Sequence, residues 1–292
     1  MYEEYFEKLK EECLLRNRTQ GTLNQYTIKI QQFMKWMDYK DPNEWTLKDA
    51  RDFIYDLRVN NHRSTKHCNT VNSALKFFYR FVLHKAWDQD QVPRMMEDLK
   101  LPQVIELEKI EAMIEITTEV RNKAIIALLY SSGLRVGELC RLSPKDIYMS
   151  TMQIHIKSGK NHCDHWTILS QKSLDYLIAY WKQYPFERDY LFVSLKAPYA
   201  PLKQSGIQIM LKKIGDKAGF EHMHPHLLRH SFASHMIEQG VSLEHIQAMM
   251  GHRDPASTHK YIHVSNKALM GIKSPLDHPA KKKRGRKKRN EQ

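Results

Sequence analysis

Residues His224–Val264 have the sequence HPHLLRHSFASHMIEQGVSLEHIQAMMGHRDPASTHKYIHV, and the most informative side chains of the chain lie within them. Apolar residues recur at helical spacing in two segments, one ended by Gly240 and the next by Gly251. Asp254 and the proline after it predict the start of a third helix, with Tyr261 about one turn into it. The stretch therefore predicts three helical segments that carry histidine, arginine and tyrosine side chains.

Anion binding is the chemistry that these side chains favour. His226 and Arg229 are three residues apart, so a helix places them on one face. A guanidinium matches two phosphate oxygens, and an imidazole can donate to one oxygen or exchange a proton with it. His252 follows a helix end, where a ring can point into a cleft. Tyr261 is the candidate nucleophile, and because a tyrosine hydroxyl ordinarily has a pKa of about 10, its attack on phosphorus needs cationic donors.

A second motif lies upstream and supplies another cation. Residues 131–139, SSGLRVGEL, follow the strongly apolar segment Asn122–Tyr130, which predicts a buried helix. Arg135 stands just past the end of that helix, and Glu138 follows it by three residues. A second arginine strengthens the case for an anion site, because negative charge that spreads over phosphate oxygens needs cationic donors.

In order and spacing, these motifs resemble the tyrosine recombinases, also called the phage integrase family, and in particular its simple two-domain, Xer-like members. SSGLRVGEL is similar to the family's arginine box, His226–His230 to its His-x-x-Arg box, and Met250–His252 to its Gly-His pair. The resemblance assigns catalytic roles by position and makes Glu138 a supporting acid. The catalytic residues that it implies are Arg135, Lys160, His226, Arg229, His252 and Tyr261.

The lysine is assigned from a predicted β-hairpin. Residues 152–156 and 166–169 alternate as paired strands do, and the turn between them is expected to place Lys160 where it could enter a DNA groove. The hairpin departs from the family pattern, because Cys163, His165 and Ile168 stand where the family commonly has lysine, arginine and proline. Lys157 is therefore a competing candidate for the catalytic lysine.

The predicted fold class is mainly α with a small β-sheet. Residues 1–92 show helical apolar spacing and resemble the family's helical core-binding bundle, and residues 93–106, with prolines at both ends of a charged stretch, are expected to be a linker. Residues 107–277 are expected to form the catalytic domain. The basic tail, residues 278–292, is expected to be disordered.

DNA contacts are expected from the polar face of the bundle and from one helix of the catalytic domain. Side chains of this kind mostly position the DNA backbone, since over half of protein–DNA hydrogen bonds go to phosphate and sugar. For each of them, a solvated surface role is the alternative. The candidates are Arg16, Arg18, Thr19, Lys29, Arg63, Thr65, Lys66, Asn69, Lys212 and Lys213.

Composition agrees with a polyanionic partner. The 292 residues carry a formal net charge of +13, and the tail from His278 holds eight Lys or Arg against one Glu, so it supplies 7 of those charges. The sequence contains no apolar stretch near the roughly 20 residues that a membrane span needs. Its four cysteines are far apart, which favours reduced thiols and a cytoplasmic location.

The resemblance implies a site-specific recombinase that needs no cofactor, metal or ATP. Its partners would be double-stranded DNA with short inverted repeats and three further copies of the chain. The tetramer would assemble on two DNA sites, be linked through the C-terminal segment Ser265–Leu276, and exchange strands through a Holliday junction. Integration, excision, and resolution of plasmid or chromosome dimers are all compatible with the sequence.

Three alternatives come from other classes of function. A catalytically silent DNA-binding protein would keep the fold without the residues, and a tyrosine-type topoisomerase would relax supercoils as a monomer. A metal site is the third, because His222, His224 and His226 alternate. Pro225 and the helix after it disfavour convergence of the three rings on one ion.

Overall fold

The computed structural model describes residues 2–97, 103–157, 164–196 and 199–251. The chain divides between residues 99 and 100 into two compact units, which we call the N-terminal unit and the C-terminal unit. Both units consist mainly of helices, and the C-terminal unit adds a small antiparallel sheet. The predicted fold class is confirmed. No helix in the described ranges is long and apolar enough to cross a membrane.

The N-terminal unit is a helical bundle in which several helices begin at a polar capping residue. Thr19 caps the second helix and Ser64 the fourth, while Thr46 and Asp49 form a capping box at the third. At the fourth helix, Ser64 Oγ accepts from the backbone amide of His67 at 3.2 Å. The helices are α1 (Tyr2–Leu15), α2 (Gln20–Trp36), α3 (Leu47–Val59) and α4 (Thr65–Phe81).

Aromatic side chains form the centre of this bundle. The rings of Phe33 and Trp45 meet edge to face with centroids 4.7 Å apart, and Trp45 also contacts Phe78 at 5.6 Å. Tyr79 is buried, and its hydroxyl donates to the carbonyl of Thr46 at 2.9 Å. Large rings bury much apolar area for each residue, so a small bundle of this kind can be stable.

The C-terminal unit packs its helices around α6 (Val120–Ser131), whose residues 124–129 are apolar on all sides of the helix. Ala124–Leu129 are all buried, as the absence of a polar face in that segment predicts. The later helices surround it and carry the site residues. The helices are α5 (Leu107–Glu115), α6 (Val120–Ser131), α7 (Val136–Leu139), α8 (Gln171–Gln183), α9 (Gln204–Lys217), α10 (Pro225–Glu238) and α11 (Leu243–Met250).

The sheet has the strand order β1 (Ile147–Tyr148), β2 (Gln153–Ile156) and β3 (His165–Ile168), all antiparallel. The predicted pairing is confirmed, with His155 opposite Trp166. The short apolar run at residues 191–193 also predicts a strand, and this prediction was wrong, because the structure has only an isolated bridge between Val193 and Pro201 there. Short apolar runs of this kind are compatible with any buried segment, so the sequence could not exclude a loop.

The described parts of the predicted linker, residues 93–97 and 103–106, contain neither helix nor strand. Each part is attached to its own unit. Asn69 donates to the carbonyl of Met95 and accepts from its amide, both at 2.9 Å. On the other side, the amide of Ile105 donates to Ser231 Oγ at 2.9 Å.

Candidate active site

Arg135 projects from the tight turn that joins α6 to α7. Gly133 has φ +63°, and a methyl group there would lie 2.4 Å from the ring of Phe232. The carbonyl of Ser132 accepts from the hydroxyl of Thr167 at 2.8 Å in the buried interior. Because the turn is fixed by glycine geometry and by the hydrogen bond from the Thr167 side chain, Arg135 leaves it in one direction.

Glu138 holds Arg135 from the first turn of α7. Its carboxylate accepts from Arg135 Nη1 at 2.6 Å and from the backbone amide of Arg135 at 2.8 Å. The side chain of Glu138 is only 4% exposed, whereas that of Arg135 is 30% exposed. The predicted pair is therefore present, with the acid buried and the arginine open to solvent on one side. A charge-assisted bond in these surroundings fixes the guanidinium more firmly than a surface ion pair does.

Arg229 lies deeper, on α10, with its side chain 4% exposed. Its guanidinium donates to the carbonyls of Gly133 and Met250, each at 2.6 Å, and lies 3.8 Å from Glu138 Oε2. The same carboxylate thus faces both candidate arginines. Arg229 connects the α6–α7 turn to the end of α11, which are far apart in the sequence.

A surface pocket of about 210 Å³ lies over this arrangement. Arg135 and Glu138 line it from the turn, and His226 lines it from α10. His226 is exposed, and its ring is stacked against that of His230 with centroids 6.3 Å apart. Two of the lining residues, Arg141 and Gln204, were not predicted from the sequence. The full lining is Arg135, Val136, Gly137, Glu138, Arg141, Gln204 and His226.

The two missed residues differ in how well they could have been found. Arg141 follows α7 directly, so its charge and its nearness to Arg135 were an available signal. Gln204 begins α9, far along the chain, and its place in the pocket depends on tertiary packing alone. Two arginines and a histidine against one carboxylate give the pocket a positive balance, which suits an anionic group.

His224 is the N-terminal cap of α10. Its backbone is extended, and Nδ1 of its ring accepts from the amide of Leu227 at 3.2 Å, so His224 caps the helix that carries His226 and Arg229. Partial burial of the ring, and then the neighbouring His222, lower the pKa of His224 below its usual value near 6.5. The neutral ring that a capping acceptor requires is therefore the favoured form.

The two lysine candidates lie around the hairpin. Lys157 Nζ is 2.6 Å from the carboxylate of buried Asp146, and this hydrogen bond raises the pKa of Lys157. The ammonium group of Lys157, directly after β2, is thus paired with Asp146. Lys160 lies outside the described residues.

His252, Tyr261 and the segment 265–276 also lie outside the described residues. The helix before them ends as the sequence predicts. α11 stops at Met250, and Gly251 caps it in the left-handed conformation with φ +58°. The carbonyl of Gly251 accepts from Arg135 Nη2 at 3.2 Å.

The candidate DNA-binding residues are mostly on the surface of their own units. Arg16, Arg18, Thr19, Arg63 and Lys66 of the N-terminal unit and Lys212 and Lys213 of α9 are exposed, and Thr65 is half-buried. Arg16 stacks on Phe81 with its guanidinium carbon 3.7 Å from the ring centroid. Exposure leaves these side chains accessible to a phosphate backbone.

Two of these candidates are not on the polar face where the sequence placed them. Asn69 is 3% exposed, and its amide is committed to Met95 and to Glu97, the latter at 2.8 Å. Lys29 is 8% exposed, and burial together with the nearby Arg63 lowers its pKa. Both lie on the interior side of helices whose periodicity was assigned from apolar residues alone, which is why the error arose.

The metal alternative receives no support from the described part of the chain, where no group of three His, Cys, Asp or Glu side chains could hold an ion. Cys13, Cys68 and Cys140 are free thiols. Cys163 is not among the described residues.

A half-buried arginine and a buried one thus face a shared carboxylate beneath a positive pocket, an arrangement that suits an anionic group such as phosphate. Family models give the particular class. The phage integrase family matches residues 103–268, and the phage integrase N-terminal SAM-like domain matches residues 5–89. The chain belongs to the phage integrase family, the tyrosine recombinases, which are enzymes that cleave and rejoin DNA.

Individual relatives agree with this assignment. The chain is 30% identical over 257 residues to tyrosine recombinase XerA of Pyrococcus horikoshii, covering 87% of each chain. It is 30% identical over 279 residues to tyrosine recombinase XerC of Bacillus pumilus, covering 87% of this chain and 89% of the relative.

Solved structures show the same architecture. A crystal structure of XerA recombinase is 29% identical with a TM-score of 0.53, covering 91% of this chain and 96% of that one. XerH recombinase bound to palindromic difH substrate, in a post-cleavage complex, has a TM-score of 0.69 at 19% identity. That match covers 87% of this chain and 79% of XerH, and at this identity it supports the fold alone.

Proposed function

We propose that this chain is a site-specific recombinase whose C-terminal unit cleaves one DNA strand with Tyr261 and holds the scissile phosphate with Arg135 and Arg229. The observation that carries the proposal is the shared carboxylate of Glu138. It accepts from Arg135 at 2.6 Å and lies 3.8 Å from Arg229, directly beside the positive pocket that His226 lines. A preorganised set of donors of this kind stabilises charge that develops on phosphate oxygens.

The proposed reaction conserves the energy of the phosphodiester. The Tyr261 oxygen forms a bond to phosphorus while the bond from phosphorus to the 5′ oxygen breaks. Lys160 gives its proton to the departing oxygen, one of His226 and His252 takes the proton of the Tyr261 hydroxyl, and the other assists by hydrogen bonding. The products are a 3′-phosphotyrosyl link and a 5′ hydroxyl. A 5′ hydroxyl from a partner strand reverses the step, so rejoining consumes no ATP.

The N-terminal unit is proposed to hold the DNA backbone. Its exposed cations Arg18, Arg63 and Lys66 are accessible on the bundle surface, and neutralising phosphates releases counterions, which drives binding. XerH and a transposon integrase were solved bound to their DNA. By analogy, we propose that this chain binds short inverted repeats in the cytoplasm. Four copies of the chain would assemble on two DNA sites and exchange strands through a Holliday junction.

The test is a nicked suicide substrate that carries the native site, incubated without added metal and separated on a denaturing gel. We expect wild-type protein to form a covalent adduct and Tyr261→Phe to form none. Tyr148→Phe, which removes the hydroxyl of an exposed tyrosine on β1, is the matched control and should form the adduct normally.

The position of the label identifies the linkage. A label on the 5′ side of the cleavage site should remain with the protein, and the released fragment should accept phosphate from polynucleotide kinase at its 5′ hydroxyl. Sequence-specific binding by wild type with no adduct would favour the catalytically silent alternative. Relaxation of supercoils without recombinant product would favour the topoisomerase.

A further inference from the structure

His165 lies next to the candidate active site, although no motif assigned it a role there. It begins β3 opposite Ile156 of β2, and β3 packs against α11. Its ring is half-buried. The neighbouring strand carries a second histidine, His155, whose ring instead stacks on Trp166 with centroids 4.6 Å apart. Two histidines of one sheet therefore have different surroundings.

The imidazole of His165 lies directly against the backbone of Gly251. A methyl group added to Gly251 would lie 2.6 Å from Cε1, 2.7 Å from Nδ1 and 3.0 Å from Nε2 of His165. A real Cβ is essentially never found within 3.0 Å of another atom in this way, so a methyl group at Gly251 would force either the ring or the turn to shift. Gly251 also has φ +58°, a conformation that favours glycine.

Gly251 and the residue before it hold both candidate arginines. The carbonyl of Gly251 accepts from Arg135 Nη2 at 3.2 Å, and the carbonyl of Met250 accepts from Arg229 Nη2 at 2.6 Å. A shift of this turn would therefore move the acceptors of both guanidinium groups. A displacement of about 1 Å at a catalytic group can lower a rate about 100-fold.

We infer that His165 is a positioning residue of the recombinase site, whose ring holds the Met250–Gly251 turn at the place where its carbonyls orient Arg135 and Arg229. This inference rests on the proposed roles of the two arginines. His165 acts through Gly251 and touches no DNA in this account. A planar side chain of similar size preserves the contact, whereas a methyl side chain leaves space into which the turn can move.

The first experiment measures single-turnover adduct formation at saturating DNA, together with the dissociation constant for the same DNA. We expect His165→Ala to lower the cleavage rate about 10-fold to 100-fold while the dissociation constant changes less than about threefold. His165→Asn should recover most of the rate, because its planar amide fills much of the same space. His155→Ala, on the opposite face of the sheet, is the matched control and should leave both quantities within about twofold.

A double mutant tests whether His165 and Gly251 act as one unit. Gly251→Ala alone should be slow because its methyl group collides with the ring. Adding His165→Ala removes the obstacle, so the double mutant should be no slower than Gly251→Ala. Additive losses, or a His165→Ala rate within about twofold of wild type, would overturn the inference.

A readout without catalysis separates this inference from the proposed function. Hydrogen exchange of a peptide spanning residues 246–251 should become faster in His165→Ala and stay unchanged in His155→Ala. Unchanged exchange in His165→Ala overturns the positioning role even if wild type forms the Tyr261 adduct. Faster exchange supports that role even if no adduct forms, in which case only the proposed chemistry fails.

Discussion

The candidate active site of the C-terminal unit and the bundle surface of the N-terminal unit hold positive charge in opposite ways. In the C-terminal unit, Arg229 is 4% exposed and is held by two backbone carbonyls and a buried carboxylate. In the N-terminal unit, Arg18, Arg63 and Lys66 lie on the surface. A charge that must stabilise one developing oxygen has to be fixed before the reaction, whereas charges that follow a flexible phosphate backbone can stay mobile in water. The units should therefore respond differently to removal of a charge.

The sharpest test of the comparison is Glu138→Gln. The change keeps the shape but leaves Arg229 without its buried counter-charge and weakens the hold on Arg135, so we expect a cost of about 3 kcal/mol in folding free energy. The adduct rate should fall about 100-fold or more. Calorimetric unfolding and the suicide-substrate assay measure the two effects.

The control for this change is Glu111→Gln. Glu111 also accepts from a cation, Lys172 at 2.6 Å, but both side chains are largely exposed. Removal of the Glu111 charge should lower the free energy of unfolding by less than about 1 kcal/mol and leave the adduct rate unchanged. Equal costs for the two substitutions would show that burial of Glu138 does not set the strength of its contacts.

The next largest effect is expected from Gly133→Ala in the turn that presents Arg135. The left-handed backbone of residue 133 is strained for alanine, and the added methyl group would lie 2.4 Å from the ring of Phe232. We therefore expect the free energy of unfolding to fall by about 2–4 kcal/mol. Gly240→Ala is the matched control, because Gly240 has φ +83° with no atom near its added methyl group. Gly240→Ala should lower the free energy of unfolding by only about 1 kcal/mol. Similar melting temperatures for the two variants would contradict a fixed turn.

A smaller effect, on affinity alone, is expected in the N-terminal unit. Arg63→Ala should weaken DNA binding and reduce the slope of log affinity against log salt by about 1, because one phosphate contact is lost. The adduct rate at saturating DNA should not change. Lys48→Ala removes an exposed cation that pairs with Asp52 and is not a candidate contact, so its salt slope should equal that of wild type. A lower adduct rate for Arg63→Ala at saturating DNA would contradict the proposal that the N-terminal unit contributes to binding alone.

The smallest effect concerns the cap of α10. Because the folded chain lowers the pKa of His224, the unfolded chain takes up a proton first as the pH falls below about 6.5. Above about pH 6.5 the ring is neutral in both the folded and the unfolded chain, and the stabilisation of α10 by its cap is fully present. This stabilisation is lost progressively as the pH falls below that value. His224→Asn keeps a capping oxygen that does not titrate. The protection of α10 amides, measured relative to their intrinsic exchange rate at each pH, should therefore fall between pH 7 and pH 5.5 in wild type, and fall less in the variant.

Much of the local structure could be predicted because short-range rules govern it. The apolar segment of α6, the capping box at Thr46 and the glycine end of α11 follow from neighbours within one or two helical turns. The motif order also placed Arg135 and Glu138 together, since they are three residues apart. Local spacing thus gave both the fold class and the first contacts of the site.

Long-range contacts could not be predicted in the same way. Nothing in the spacing of Arg229 shows that its guanidinium reaches the carbonyls of Gly133 and Met250, which belong to other segments. The burial of Lys29 and Asn69 likewise depends on which helices pack over them. A polar residue near the edge of an apolar stripe can lie on either side of that boundary, and a single sequence does not say which.

The acceptors that hold Arg135 and Arg229 include three main-chain oxygens, those of Gly133, Met250 and Gly251. Every amino acid carries such an oxygen, so exchanging the Met250 side chain for another apolar one of similar volume leaves the acceptor in place. Insertion or deletion of one residue between Leu243 and Gly251 would rotate the carbonyls away from both arginines. For directed evolution of new target sites, the end of α11 can therefore be randomised in composition but should be kept constant in length.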